Sequence, residues 1–149
     1  MARSVRKKNF QREWTFDPFS RDDSFYSRSM FGGLAAYFQG RMVMVLMEDP
    51  GEKSYRGKIY KVDLWDGVLL PTEKAHHESL QKEFPNLISH PVLGKWLYLP
   101  ASDNCFESVA RELGQKIAGH DLRIGIEPGM KIKKSRLANE GLKGKIYRI

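Results

Sequence analysis

The chain has 149 residues, an apolar share of 41%, a charged share of 29% and a formal net charge of +7. This length suits one domain with a single hydrophobic core, and the composition argues against global disorder. The longest apolar run, Met42 to Met47, is far shorter than the ~20 residues that cross a bilayer, so no membrane contact is expected. The single cysteine, Cys105, excludes an internal disulfide framework and favours a reducing compartment, which predicts a cytoplasmic location.

Positive charge is concentrated at the two ends of the sequence. Residues 1–12 carry +5 and residues 129–149 carry +6, which leaves −4 for the residues between them. A domain that binds a phosphate backbone on its folded face usually carries its bases there, so we interpret the ends as solvated tails. Nucleic-acid binding through the termini stays open as an alternative, and its candidate residues are Arg3, Arg6, Lys7, Lys8, Lys131, Lys133, Lys134 and Arg136.

The sequence signals for the first elements in chain order are weak. Residues 1–19 mix basic and aromatic side chains without a clear period, which predicts an extended N-terminal arm pinned by its aromatic residues. Ser20 and Asp23 have the spacing of a capping box, and this spacing predicts a short helix from Arg21 to about Ser27.

A hairpin follows. Leu34 to Phe38 and Arg41 to Met47 are typical of strands, and they are joined by Gln39-Gly40. Glycine at the second turn position tolerates the positive φ that a tight hairpin needs. The pair Gly32-Gly33 allows a sharp turn or a close approach to another chain segment, and Glu48 to Tyr55 is predicted to be a polar loop.

Three further elements are expected in the middle of the chain. Lys58 to Leu64 alternates like a strand, Asp66-Gly67 is a second hairpin signal, and Val68 to Leu70 is the predicted returning strand. A helix is then expected over residues 73–84, where Pro85 stops it.

The last predicted elements include the clearest helix of the chain. After a short strand, Trp96 to Leu99, apolar residues recur at helical spacing from Phe106 to Ile117. We expect Asn104 with Glu107 to cap this helix at its start, and Gly119 to end it. Leu122 to Ile126 is predicted to be a strand. The apolar face of the helix consists of Phe106, Val109, Ala110, Leu113 and Ile117.

These elements together predict an α+β fold, with an antiparallel sheet of about five to six strands packed by two or three helices. We place the domain at residues 20–128, with the basic, aromatic arm at 1–19 and a basic extension at 129–149.

Reactive residues do not form a recognisable motif. Cys105 opens the clearest helix, and a small enzyme that uses its thiol with a histidine is one alternative function. A buried structural cysteine is the favoured interpretation, since none of the four histidines has a spacing that marks it as a partner. Glu73 and His77 lie four residues apart without further ligands, so we expect no catalytic residue, no metal site and no cofactor.

One block of residues is distinctive. Arg28-Ser-Met-Phe-Gly-Gly33, followed by a hairpin with Gln39-Gly40-Arg41, resembles the N-terminal domain of the TfoX family. The resemblance extends loosely to about Gly119 and implies an α+β fold shared with YjbR-like proteins and a link to regulation of natural competence. It implies no catalytic residues. The positions that it marks for binding are Arg28, Met30, Phe31, Gly32 and Gly33, and their expected physical role is a tight strand entry with a buried Phe31.

The sequence departs from the family pattern in its longer Glu48 to Gly57 segment, its basic ends and the lack of a second domain, which weakens transfer of transcriptional regulation. Our leading hypothesis is a non-enzymatic binding or regulatory module. A protein partner would bind through the sheet surface or the basic ends, and the chain itself could be a monomer or a dimer.

Overall fold

A computed structural model describes residues 9–127, and over this range it confirms the predicted α+β fold with a six-stranded sheet, a two-stranded sheet and two α-helices. The strands are β1 (Tyr26–Met30), β2 (Gly33–Phe38), β3 (Arg41–Glu48), β4 (Ser54–Tyr55), β5 (Lys58–Ile59), β6 (Asp66–Leu70), β7 (Ile88–Ser89) and β8 (Leu97–Pro100). The helices are α1 (His77–Glu83) and α2 (Phe106–Ala118), with short 3-10 helices at Glu13–Phe16 and Lys74–His76.

The large sheet is antiparallel throughout, in the order β1-β2-β3-β6-β8-β7. One face, which we call the core face, packs against α2 and holds the larger group of buried side chains. The opposite face, which we call the second face, holds a smaller buried cluster that includes Tyr37, Met47 and Tyr98. The inner strands are therefore buried on both faces, whereas β1 lies at an edge and is largely exposed.

The hairpin formed by β2 and β3 confirms the expectation for Gln39-Gly40. Both residues have positive φ, 54° at Gln39 and 78° at Gly40, as the tight turn between twisted strands requires. The predicted strands at 34–38 and 41–47 differ from β2 and β3 by only one residue at one end each.

The short helix predicted at 21–27 is wrong. The Asp22 carboxylate accepts hydrogen bonds from the N–H and hydroxyl of Ser24, which makes a local turn in place of a helix cap. The chain then enters β1, where Tyr26, Arg28 and Met30 alternate with two serines. The predicted extended arm also differs, since Glu13–Phe16 is a 3-10 helix, although Phe16 and Phe19 do pin the segment into the core.

The strand predicted at 58–64 is much shorter than expected. Only Lys58–Ile59 is a strand, and it pairs with β4 outside the large sheet. Asp66-Gly67 is not a turn but the start of β6, which pairs with β3 and β8. Glycine is needed at position 67 because an added Cβ would clash with the Leu99 carbonyl oxygen.

The other two predicted helices are present, but the expected cap of α2 is wrong. The 3-10 turn and α1 together cover residues 74–83, just before Phe84 and Pro85. At α2, Cys105 occupies the N-cap position, and the Asp103 carboxylate, rather than Asn104, accepts a hydrogen bond from its N–H. Gly119 is at the C-cap as expected.

The strand predicted at 122–126 is also wrong, because only a single bridge forms there, between Ile126 and Met42. The preceding residues form turns that are tied down by side chains. Arg123 binds the Asp121 carboxylate, the Ser79 hydroxyl and the Glu83 carboxylate. This network joins the end of α2 to α1 without a strand.

Gly33 allows β2 to pack closely against β3. A Cβ at this position would fall well inside van der Waals contact with the Leu46 carbonyl oxygen and the Met47 sulfur. We expect Gly33→Ala to lower the free energy of unfolding by about 1–3 kcal/mol, measured by urea denaturation. Gly94→Ala is the matched control, since the nearest atom to its Cβ would be 3.9 Å away. Equal stability of the two variants would contradict this packing.

Candidate binding surface

The turn between β1 and β2 consists of Phe31 and Gly32, which both have positive φ, 57° and 79°. Glycine adopts this conformation freely, whereas a side chain such as phenylalanine costs roughly 1 kcal/mol there. Phe31 is nevertheless 55% exposed, so burial offsets this cost only in part, and the expectation of a buried Phe31 is wrong. A strained, exposed aromatic residue is an observation that suggests a role in binding.

Three side chains of β1 share the second face of the sheet with Tyr37, namely Tyr26, Arg28 and Met30. Tyr26 and Arg28 pair with residues of β2, and the ring of Tyr26 stacks on that of Tyr37 at 4.6 Å between centroids and 2° between planes. The Arg28 guanidinium lies 5.7 Å from the centroid of the same ring. Tyr37 is only 3% exposed, and its burial raises the pKa of the phenol, which therefore stays neutral.

Phe31 and Trp96 extend this group of side chains. Their ring centroids are 6.2 Å apart, and both Trp96 and Met30 pack against the buried cluster of the second face. We use the name hairpin surface for Tyr26, Arg28, Met30, Phe31 and Trp96. The structure thus brings together three of the residues predicted from the sequence, while Gly32 and Gly33 shape the backbone beneath them.

Sequence reasoning missed the other two members of the hairpin surface. The alternation of Tyr26 with Arg28 and Met30 is a strand signal that could have identified Tyr26. Trp96 lies 65 residues beyond Phe31 in the chain. Since no local pattern connects them, only the fold of the sheet could place these two rings together.

Arg28 differs in its partners from three other arginines of the described range. Arg12, Arg111 and Arg123 form ion pairs with carboxylates. Within residues 9–127, no ion pair is found for Arg28, and its contact is with the ring of Tyr37. The exposed guanidinium therefore keeps donors that a carboxylate could use.

Cys105 is exposed, so the expectation of a buried structural cysteine is wrong. Its position in the turn before α2 explains this, because the buried face of the helix begins only at Phe106. The hydrogen bonds of Cys105 are made by its backbone, with Asp103 and Ser108. His77, which follows Glu73 by four residues, pairs through Nε2 with the Lys95 carbonyl oxygen, at 2.8 Å.

His90 is the most buried histidine in the described range. Its Nε2–H donates to the Leu64 carbonyl oxygen at 2.6 Å, and its Nδ1 accepts hydrogen bonds from the N–H groups of Val92 and Leu93. Burial lowers the pKa of this imidazole. With both nitrogens occupied, His90 fastens the loop between β7 and β8 onto the second face and is not placed to act as a base.

Three other kinds of site were considered in the sequence: a metal site, a membrane span and a nucleic-acid site. Residues 9–127 contain no group of three or more histidine, cysteine, aspartate or glutamate side chains that could hold a metal ion. Over the same range, no helix has the length and apolar character needed to cross a membrane. The nucleic-acid candidates Arg3, Arg6, Lys7, Lys8, Lys131, Lys133, Lys134 and Arg136 lie outside the described residues.

Comparison of the chain with protein-family models, with curated proteins and with solved structures found no match. The hairpin surface is therefore interpreted from its own geometry, and the resemblance to TfoX domains stays a prediction.

The burial of His90 predicts a stability change at mildly acidic pH. The folded state lowers the pKa of His90 from its ordinary value of 6.5, so protons bind the unfolded state preferentially. Stability should be full above pH 6.5 and should fall as the pH drops below it, with a slope of at most about 1.4 kcal/mol per pH unit for one proton.

Urea denaturation of the protein and of His90→Gln, between pH 7.5 and 5.0, measures this slope. We expect His90→Gln to be less pH-dependent than the unmodified protein, and His76→Gln, which alters a half-buried histidine on the surface, to retain the slope. An unchanged slope in His90→Gln would show that protonation of His90 does not cause the pH dependence of stability.

Proposed function

We propose that this protein is a non-enzymatic binding module, which binds a protein partner through the hairpin surface. The observation that carries the proposal is the grouping of exposed Tyr26, Phe31 and Arg28 on one hairpin. Tyr26 is 48% exposed and Phe31 is 55% exposed. Aromatic and arginine side chains contribute most of the binding energy at protein interfaces, which makes this combination typical of such a site.

Other exposed apolar residues do not form such a group. Ile59 is 78% exposed on the small sheet, and Leu122 is 67% exposed in the turns after α2. Single exposed aliphatic residues are common on soluble proteins and need no partner to explain them. The hairpin surface differs because its residues contact neighbouring rings: Tyr26 and Arg28 lie against the buried ring of Tyr37, and Phe31 lies against Trp96.

The contacts of the reactive residues support a role without catalysis. His90 has both ring nitrogens engaged by the backbone, and His77 pairs with a backbone carbonyl. The pKa of Tyr98 is raised by burial, and its hydroxyl is held by the backbone of Asp63 and Asp66. These groups hold loops in place. The resemblance to TfoX domains adds support for a regulatory use of the binding.

Nucleic-acid binding through the basic termini is a second candidate function. Residues 1–12 and 129–149 carry +5 and +6, and such charge binds phosphates with little sequence preference. We expect binding to a DNA duplex at 20 mM salt that falls by about a hundredfold or more at 200 mM. Absence of any gel shift at the lower salt concentration would rule this candidate out.

Substitutions within and outside the hairpin surface test the proposed function. We expect Tyr26→Ser and Phe31→Ser to reduce, by about tenfold or more, the retention of protein partners from an extract of the cells that produce the protein. Ile59→Ser and Leu122→Ser are matched controls, since they remove exposed apolar side chains elsewhere and should leave retention unchanged.

Quantitative mass spectrometry of the retained proteins gives the readout, and thermal unfolding confirms that all four variants are folded. Equal retention by the hairpin variants and the controls would refute the hairpin surface as the binding site.

A further inference from the structure

Within residues 9–127, no strand pairs with the outer edge of β1. The turn at Phe31 and Gly32 makes Met30 and Gly33 a hydrogen-bonded pair, as in other two-residue hairpins. Hydrogen bonding to β2 then alternates along the strand, so Arg28 and Tyr26 also bond to β2. The N–H and C=O groups of Ser27 and Ser29 point the opposite way, where the described residues place no neighbouring strand.

The side chains of β1 leave this edge accessible to another strand. Edges are usually protected by proline, by a bulge or by several charges. Strand β1 is regular over its five residues, has no proline and carries one charge, Arg28. Two serines are small enough to let another backbone approach.

Arg28 also limits what can pair there. If a second copy of the chain added antiparallel with Ser27 opposite Ser29, the two Arg28 side chains would lie directly opposite each other, which is unfavourable. The chain's own residues 129–149 contain seven bases and one acid, so they offer little to neutralise Arg28. Charge complementarity therefore favours a partner that supplies a carboxylate.

We infer that β1 binds an extended segment of a partner protein as an additional antiparallel strand, with an acidic residue opposite Arg28. The residues two positions before and after that acid would lie on the same face and contact Tyr26 and Met30, so apolar or aromatic residues are expected there. Backbone hydrogen bonds to Ser27 and Ser29 would supply affinity, and the alternating side chains would supply specificity. This inference rests on the proposed function and specifies its partner.

The probe for this inference is a displayed library of random nine-residue peptides, selected on the intact protein. We expect the enriched peptides to share an acidic residue flanked at both second neighbours by apolar residues. Selection on Arg28→Glu should instead enrich a basic residue at the central position. A loss of folding cannot produce this exchange of preference, so the result separates recognition from structural damage.

Two substitutions at position 27 test the backbone pairing, with affinity for an enriched peptide measured by fluorescence anisotropy. Ser27→Pro removes an N–H that points away from β2, so the hairpin should tolerate it. We expect this variant to bind about tenfold or more weakly, because the added strand loses hydrogen bonds at its centre. Ser27→Ala keeps the N–H and should bind normally.

The outcomes separate the inference from the proposed function. If peptide binding depends on Phe31 but survives Ser27→Pro, strand addition is wrong while the hairpin surface remains the site. If the protein forms a dimer that Ser27→Pro dissociates, the occupant is a second copy and the inference is wrong. If no peptide is enriched above background, β1 does not accept extended segments, and the retention experiment still tests the hairpin surface independently.

Discussion

The turn at Phe31 and Gly32 sets the register of β1 on β2, and the geometry of the hairpin surface depends on this register. Because Met30 pairs with Gly33, Tyr26 and Arg28 fall on the second face, above Tyr37. A shift of one residue would move these side chains to the core face, where apolar side chains are already packed. The two positive φ angles of the turn therefore set the register that places the β1 side chains on the hairpin surface.

The rest of the sheet explains why its exposed side chains lie mainly on β1. Strand β3 is central and is almost entirely buried, since α2 covers the core face and several loops cover the second face. Trp65 and Trp96 belong to that cover, and His90 fastens one of its loops through three backbone groups. At β1 the cover is incomplete, so the strand presents both a side-chain surface and a backbone edge.

Strong local patterns in the sequence predicted the parts of the fold whose contacts are close in sequence. The apolar spacing from Phe106 to Ile117 identified α2, and Gln39-Gly40 identified a hairpin, because both signals depend on neighbouring residues. Strand β1 was missed because it is short, polar and half-exposed, and an apparent capping box preceded it. Asp66-Gly67 was mistaken for a turn because its glycine is required by contact with β8, which the local sequence does not reveal.

The candidate site was predictable to a similar extent. The block from Arg28 to Gly33 was recognised, yet the exposure of Phe31 depends on which face the turn presents, and the contact with Trp96 depends on a distant loop. The exposure of Cys105 was likewise decided by where α2 begins. In each case the decisive contacts are separated widely in sequence.

Amide hydrogen exchange, followed residue by residue by NMR, tests most directly whether β1 is a structured strand with one unpaired edge. We expect slow exchange at Arg28 and Met30 and fast exchange at Ser27 and Ser29 in the isolated protein. Uniformly fast exchange along β1 would show that the strand is not formed, and slow exchange at both serines would show that its edge is already occupied. Either result would contradict the description of β1 as a structured strand with one unpaired edge.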